Sequence, residues 1–183
     1  MSRERPTPGD EAAFTCLYER DRRPVYAYLL GRTGNAEAAE DLLQEAFLRV
    51  WRHLAAIRGL DAGRQRAWVF AVARNLAIDA HRSRTAGDAA MAEFLATAPT
   101  QAPGHEQPVA RAEMTERMAV LDTAIRALPE PLRVVLALHT VGELTSAQVG
   151  ELTGEPAGTV RYRLSAARRQ LADALRRHEE GQA

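Results

Sequence analysis

All-α is the fold class that the sequence predicts: two small helical domains joined by a flexible linker, the second containing a helix-turn-helix. Three observations predict it. Apolar residues recur three or four positions apart through most of the chain, the spacing of one helix face, and strand signals are weak. A stretch rich in Ala, Thr, Gly and Pro, Thr85 to Pro108, interrupts that pattern and is too long for a connection inside one compact domain. Beyond it, a short segment stopping at a glycine leads into a basic amphipathic segment, the order of a bihelical DNA-reading unit.

The elements follow in order. Residues 1–9 hold two prolines and a glycine and read as a loose tail. Asp10 caps a helix through about Asp21, with Phe14, Leu17 and Tyr18 facing inward. Pro24 either breaks that helix or starts the next one, which runs to about Leu30, and Gly31 and Gly34 mark a turn. Asn35 caps a helix continuing to about Ile57, with Leu42, Leu43, Ala46, Phe47, Val50, Trp51 and Leu54 as its apolar stripe. Its other side carries Asp41, Gln44, Glu45, Leu48, Arg49 and Arg52. Leu48 is out of place there: either an ordinary surface leucine or an anchor for a partner.

Arg58 to Arg66 reads as a basic, glycine-bearing loop, and Ala67 to about Arg84 as a largely buried helix. Arg74, Asn75, His81 and Arg82 share one side of that helix, with Asp79 and Trp68 at its edge. The side is either a solvated stripe or a nucleic-acid face continued from the loop. Thr85 to Pro108 is the linker, with helix near Ala89–Leu95. Arg111 to Leu128 is helical, with Met114, Met118, Leu121, Ile125 and Leu128 in steps of four and three, and Pro129 separates it from a short helix over Pro131–His139.

Thr145 and Gln148 have capping-box spacing at the start of a helix that ends at Gly154. Glu155 as N-cap and Pro156 at the first position then open a helix to Arg177. Val160, Leu164, Ala167, Leu171 and Leu175 form its apolar face. Arg161, Tyr162, Ser165, Arg168 and Arg169 lie opposite, on a helix of major-groove width.

Of the 183 residues, 46% are hydrophobic and 26% charged, ordinary values for a globular chain. Lys+Arg and Asp+Glu are both 24, so only segregation of charge, not its total, supports nucleic-acid binding. Cys16 is the single cysteine, which excludes an internal disulfide. No apolar run approaches the ~20 residues of a membrane span, and Met1–Glu11 lacks a signal-peptide core. A cytoplasmic protein without membrane insertion is expected. An enzyme is not: His53, His81, His105, His139 and His178 are dispersed without metal-ligand spacing, Cys16 has no neighbouring base, and no phosphate-binding loop occurs. No cofactor or metal is expected.

Four segments, in this order, resemble a bacterial RNA polymerase sigma factor of the extracytoplasmic-function (ECF) class. Asp41–Trp51 looks like region 2.2, Trp68–Asp79 like the helix spanning regions 2.3 and 2.4, Leu128–Val135 like the opening of region 4, and Gly158–Leu164 like its recognition helix. The resemblance implies region 2 over residues 10–84, a linker over 85–110 and region 4 over 111–178. It implies contact with the polymerase core through Asp41, Gln44, Glu45, Leu48 and Arg49. It implies reading and opening of the minus-10 element by the loop Gly59–Arg66 and the next helix, through Arg64, Arg66, Trp68, Arg74, Asn75, Asp79 and Arg82. It implies minus-35 base contacts from Arg161, Tyr162, Ser165 and Ala166, and phosphate contacts from Thr159, Arg163, Arg168 and Arg169. Partners would be core RNA polymerase, promoter DNA and an anti-sigma factor. The chain departs from the family pattern at Gln148-Val149-Gly150, where Glu-Ile-Ala is usual, at Tyr162, where a small residue is common, and at Ala166, where arginine is common.

Two other readings compete. A helix-turn-helix repressor would need the N-terminal half as its sensor, and the basic loop argues against that. A sigma-like decoy that binds only an anti-sigma protein should lose its basic faces, and Arg74, Arg82, Arg161, Arg168 and Arg169 remain.

Overall fold

The computed structural model describes residues 8–91 and 109–181, with the side chains of 9–83 and 116–180. The elements are α1 (Pro8–Thr33), α2 (Ala36–Arg52), α3 (Leu54–Ile57), α4 (Ala62–Met91), α5 (Val109–Ala127), α6 (Glu130–Thr140), α7 (Ser146–Thr153) and α8 (Ala157–Gly181). Among the described residues there is no strand. The linker expected over Thr85–Pro108 falls mostly outside them; its first part, through Met91, continues α4.

The first block packs α1, α2 and α4 against one another. Leu17, Val25, Tyr28 and Leu29 of α1, Phe47 and Val50 of α2, and Val69, Phe70 and Ala73 of α4 fill the space between them. This packing corrects the expected break at Pro24: α1 runs through the proline without interruption. A proline inside a helix costs about 3 kcal/mol. Burying the four α1 side chains on both sides of it, at about 1.5–3 kcal/mol each, outweighs that.

Asn35 caps α2 as expected, its side-chain oxygen accepting the Ala38 N–H at 2.9 Å. The helix does not continue to Ile57. His53 ends it, with its backbone N–H shared between the Arg49 and Val50 carbonyls and its ring Nδ1 2.9 Å from the Arg49 carbonyl. α3 then restarts on the buried Leu54 and Ile57. The expected loop Arg58–Arg66 is also shorter, because Asp61 caps α4: its carboxylate accepts the Arg64 N–H at 2.9 Å.

In the second block α5, α6 and α7 pack around α8. Val135, Leu138, Leu144, Val149, Val160, Leu164 and Ala167 are buried there. Met118 is not the core residue its spacing predicted. It is 58% exposed, because α5 lies along α8 on one side only. The two blocks touch where α4 meets α7.

Candidate nucleic-acid and partner interfaces

The α7–turn–α8 unit is built by local chemistry. Thr145 and Gln148 form the reciprocal capping box: the Thr145 oxygen accepts the Gln148 N–H, and Gln148 Oε1 accepts the Thr145 N–H at 2.9 Å. Gly154 takes the left-handed conformation at φ 73° that ends α7. Gly150 answers a different need, since a Cβ there would lie 2.5 Å from the Glu155 carbonyl oxygen. The turn therefore folds back onto α7 more closely than an alanine would permit.

Glu155 is not the α8 N-cap. The Val160 N–H donates to the Pro156 carbonyl at 3.2 Å, and the Glu155 carboxylate instead grips Arg163 at 2.6 Å. Arg163 is thus turned away from Arg161, as two residues of helix, roughly 200°, require. Val160, Leu164 and Ala167 hold α8 to its block, and Leu171 and Leu175 are half-buried. Arg161, Tyr162, Ser165, Arg168 and Arg169 stand exposed within a sector of roughly 120°. Tyr162 is 69% exposed, a large aromatic with no core role. Ala166 and Thr159 are partly covered.

On α4, Arg64, Trp68, Asn75, Asp79 and Arg82 fall within roughly 60° of one another around the axis. All are exposed except Trp68, which is half-buried against the His53 ring, centroids 5.6 Å apart. Arg64 pairs with Asp61 at 3.3 Å while staying 74% exposed. Arg74 sits on the flank of this stripe and is half-buried. Arg66 leaves the set altogether. It points to the opposite side and donates to the fully buried Asp21 at 2.9 Å and to Glu143 of the second block. Arg20 supplies Asp21 with a second cation at 2.6 Å. Burial disfavours the charged form of Arg66, but the hydrogen bonds it donates to the Asp21 and Glu143 carboxylates outweigh that and leave the pKa raised.

On α2, Asp41, Gln44 and Leu48 are exposed, and Glu45 and Arg49 are partly covered and paired at 2.8 Å. Leu48, 50% exposed, forms one wall of a groove of about 660 Å³ between α1 and α2. Phe14, Tyr18, Phe47 and Trp51 complete its apolar lining. The apolar spacing predicts Phe14, Tyr18 and Trp51 on inward faces. They are only half-buried, an aromatic cluster stacked edge-to-face with one side open.

A third set of charges lies where α1 meets α6. Arg32 pairs with Glu130, which also binds Arg133. Burial works against the Glu130 carboxylate, yet the hydrogen bonds and charges of Arg32 and Arg133 prevail and lower its pKa. Beside them burial pushes the Tyr28 phenol up to about 12, against the pull of Arg32 and Arg74. No group of His, Cys, Asp and Glu among the described residues could hold a metal ion. Nor is any described helix long and apolar enough to cross a membrane.

Two family models match the chain, Sigma-70 region 2 over residues 17–87 and Sigma-70 region 4 over residues 118–171. The ECF RNA polymerase sigma factor SigL of Mycobacterium tuberculosis is 33% identical over 162 residues, 88% of each chain. SigW of Bacillus subtilis, also an ECF RNA polymerase sigma factor, is 30% identical over 176 residues, 92% of this chain and 91% of that one. Among solved structures, the sigma factor RpoE of Bartonella quintana, in complex with the anti-sigma factor NepR, shares the fold with a TM-score of 0.69 at 18% identity, covering 89% of this chain and 96% of that one. CnrH, solved with the cytosolic domain of CnrY, shares it with a TM-score of 0.60 at 18% identity over 90% of this chain and 88% of its own.

Proposed function

The chain belongs to the ECF sigma factors of RNA polymerase, and from that premise we propose that it binds the core enzyme and directs it to a specific set of promoters. Residues 10–84 act as region 2, 85–110 as the linker and 111–178 as region 4. It works in the cytoplasm, with promoter DNA and core polymerase as partners and an anti-sigma factor as its restraint.

The observation that carries this reading is the α8 surface: Arg161, Tyr162, Ser165, Arg168 and Arg169 exposed together on the second helix of a capped bihelical unit. Arg161 suits a guanine edge in the major groove, worth about 1–3 kcal/mol of discrimination, while Ala166 offers only a methyl contact. Arg168 and Arg169 suit phosphates, which set affinity and salt dependence without reading sequence. The Arg64–Arg82 stripe of α4, with Trp68, is the candidate for the minus-10 element. There, unstacked bases of an opened strand can rest on an aromatic and cationic surface. Strand opening then draws on binding energy, since no phosphate-binding loop is encoded. Leu48 and the open aromatic groove give the polymerase an apolar hold beside the acidic Asp41 and Glu45.

Run-off transcription with purified core polymerase tests the reading. Wild type should initiate at a discrete subset of genomic promoters. Leu48→Asp should cut initiation and core binding at least tenfold while leaving α8 binding to duplex DNA intact. A protein that footprints DNA alone as a dimer and never binds core would instead be a repressor. One that binds only an anti-sigma protein would be a decoy.

A further inference from the structure

We propose that His53 is a specificity-determining residue of the strand-capturing surface: its ring Nε2 accepts a hydrogen bond from the exocyclic amine of an unstacked adenine or cytosine resting on Trp68. The inference rests on the single-strand role proposed above for the α4 stripe; the state of the ring rests on its own contacts.

His53 stands where α2 ends, and three contacts fix it. Its backbone N–H is shared between the Arg49 and Val50 carbonyls, its ring Nδ1 lies 2.9 Å from the Arg49 carbonyl oxygen, and the ring lies against Trp68 with centroids 5.6 Å apart. The backbone there, at φ −111° and ψ 13°, is neither helical nor extended, a sparsely occupied region in which many active-site residues sit. The buried Leu54 and Ile57 anchor the chain directly after it. An exposed side chain ordinarily loses rotamer freedom when it meets a ligand. This ring has already lost it on folding.

The contact with Arg49 decides the chemistry. A backbone carbonyl only accepts, so Nδ1 must carry the proton and donate it. In the neutral ring Nε2 then holds the lone pair and only accepts. His53 is exposed, and Nε2 has no hydrogen-bond partner among the described residues. An acceptor of fixed identity and orientation therefore faces solvent beside the one aromatic ring of the stripe.

Trp68 supplies the platform. It is half-buried, so part of its face stays open for stacking. The two rings meet at 45°, and a base cannot lie flat between planes so inclined. A base stacked on the open part of Trp68 instead meets His53 at its edge. Adenine and cytosine carry an amine on their major-groove edge, where guanine and thymine carry carbonyl oxygens. The Nε2 lone pair bonds the first pair and repels the second. The other acceptors of the stripe are too far to compete. Asn75 and Asp79 lie seven and eleven residues beyond Trp68, about 10 and 16 Å along α4. Arg64, one turn before Trp68, only donates and suits a phosphate.

Selection of short randomised single-stranded DNA by the chain bound to core polymerase tests the assignment. It is run at about pH 8, where imidazole is ordinarily neutral, with core polymerase alone as background. Wild type should enrich adenine or cytosine over thymine at one position by about fivefold, the worth of one hydrogen bond. His53→Phe keeps a ring against Trp68 and removes the lone pair, so the preference at that position should vanish while total capture and the other positions hold. His53→Arg replaces the acceptor with a donor and should move the same position to guanine or thymine. An unchanged preference in His53→Phe would overturn the assignment. So would an equal loss of capture across all sequences, which is what a merely structural residue gives. Trp68→Ala separates this inference from the reading beneath it. Undiminished capture by Trp68→Ala would retire the strand-binding role of the stripe and His53 with it. Weakened capture, with preferences unmoved in His53→Phe, would keep the stripe and retire His53 alone.

Discussion

α4 and α8 begin alike and end in different circumstances. Each carries Arg-x-Arg in its first turns, Arg64-Gln65-Arg66 and Arg161-Tyr162-Arg163. In each the first arginine is exposed and the second, two residues round the helix, turns into an acid. The acids differ. Asp21 is fully buried on another helix, 45 residues from Arg66, whereas Glu155 is 23% exposed and lies in the turn beside α8. In α4 the second arginine therefore belongs to the tertiary core of the first block. In α8 it only ties a helix to its own turn. A count of arginines overstates the cationic face of both helices, and overstates it structurally more in α4.

Removing the acids should expose the difference most. Asp21→Ala leaves Arg20 without its acid and Arg66 with only the more exposed Glu143, and should cost about 3–5 kcal/mol of stability in chemical denaturation. A loss under 1 kcal/mol would place this pair on the same footing as the α8 one. Next in size is Gly150→Ala, where the added methyl meets the Glu155 carbonyl. It should cost about 1–3 kcal/mol, confined to unfolding of the second block. Arg161→Ala should leave the melting temperature unchanged and relax preference at one base pair of a bound duplex by about 1–3 kcal/mol, read from a binding-site selection. Smallest is Glu155→Ala. It breaks a local, partly exposed pair and should cost about 1 kcal/mol or less. It also frees Arg163, so the salt slope of duplex binding should steepen by up to about one counterion.

The same contrast explains what could be read from the sequence. The second block's reading unit was legible almost residue by residue, because its determinants are local: Thr145 and Gln148 three apart, Gly154 after the last turn, and the apolar steps Val160, Leu164 and Ala167. The first block's boundaries were not. Pro24 signals a break, and only burial of residues on both sides of it keeps α1 continuous. The interruption at His53 has no strong breaker residue to announce it. Asp61 is a cap residue by type, but Gly59 and Gly63 on either side give the segment the composition of a loop. That Arg66 faces Asp21 rather than solvent depends on a contact 45 residues away, which no window of sequence contains.

α1 is a 26-residue rod, about 39 Å long. Phe14 and Tyr18 near its start wall the aromatic groove, and Arg32 at its end reaches Glu130 of the second block. No loop intervenes to absorb movement between them; only Pro24, which omits one rung of the helical ladder, offers a pivot. Whatever seats itself at Phe14 therefore holds the near arm of a lever whose far arm, some 27 Å on, bears against the other half of the molecule.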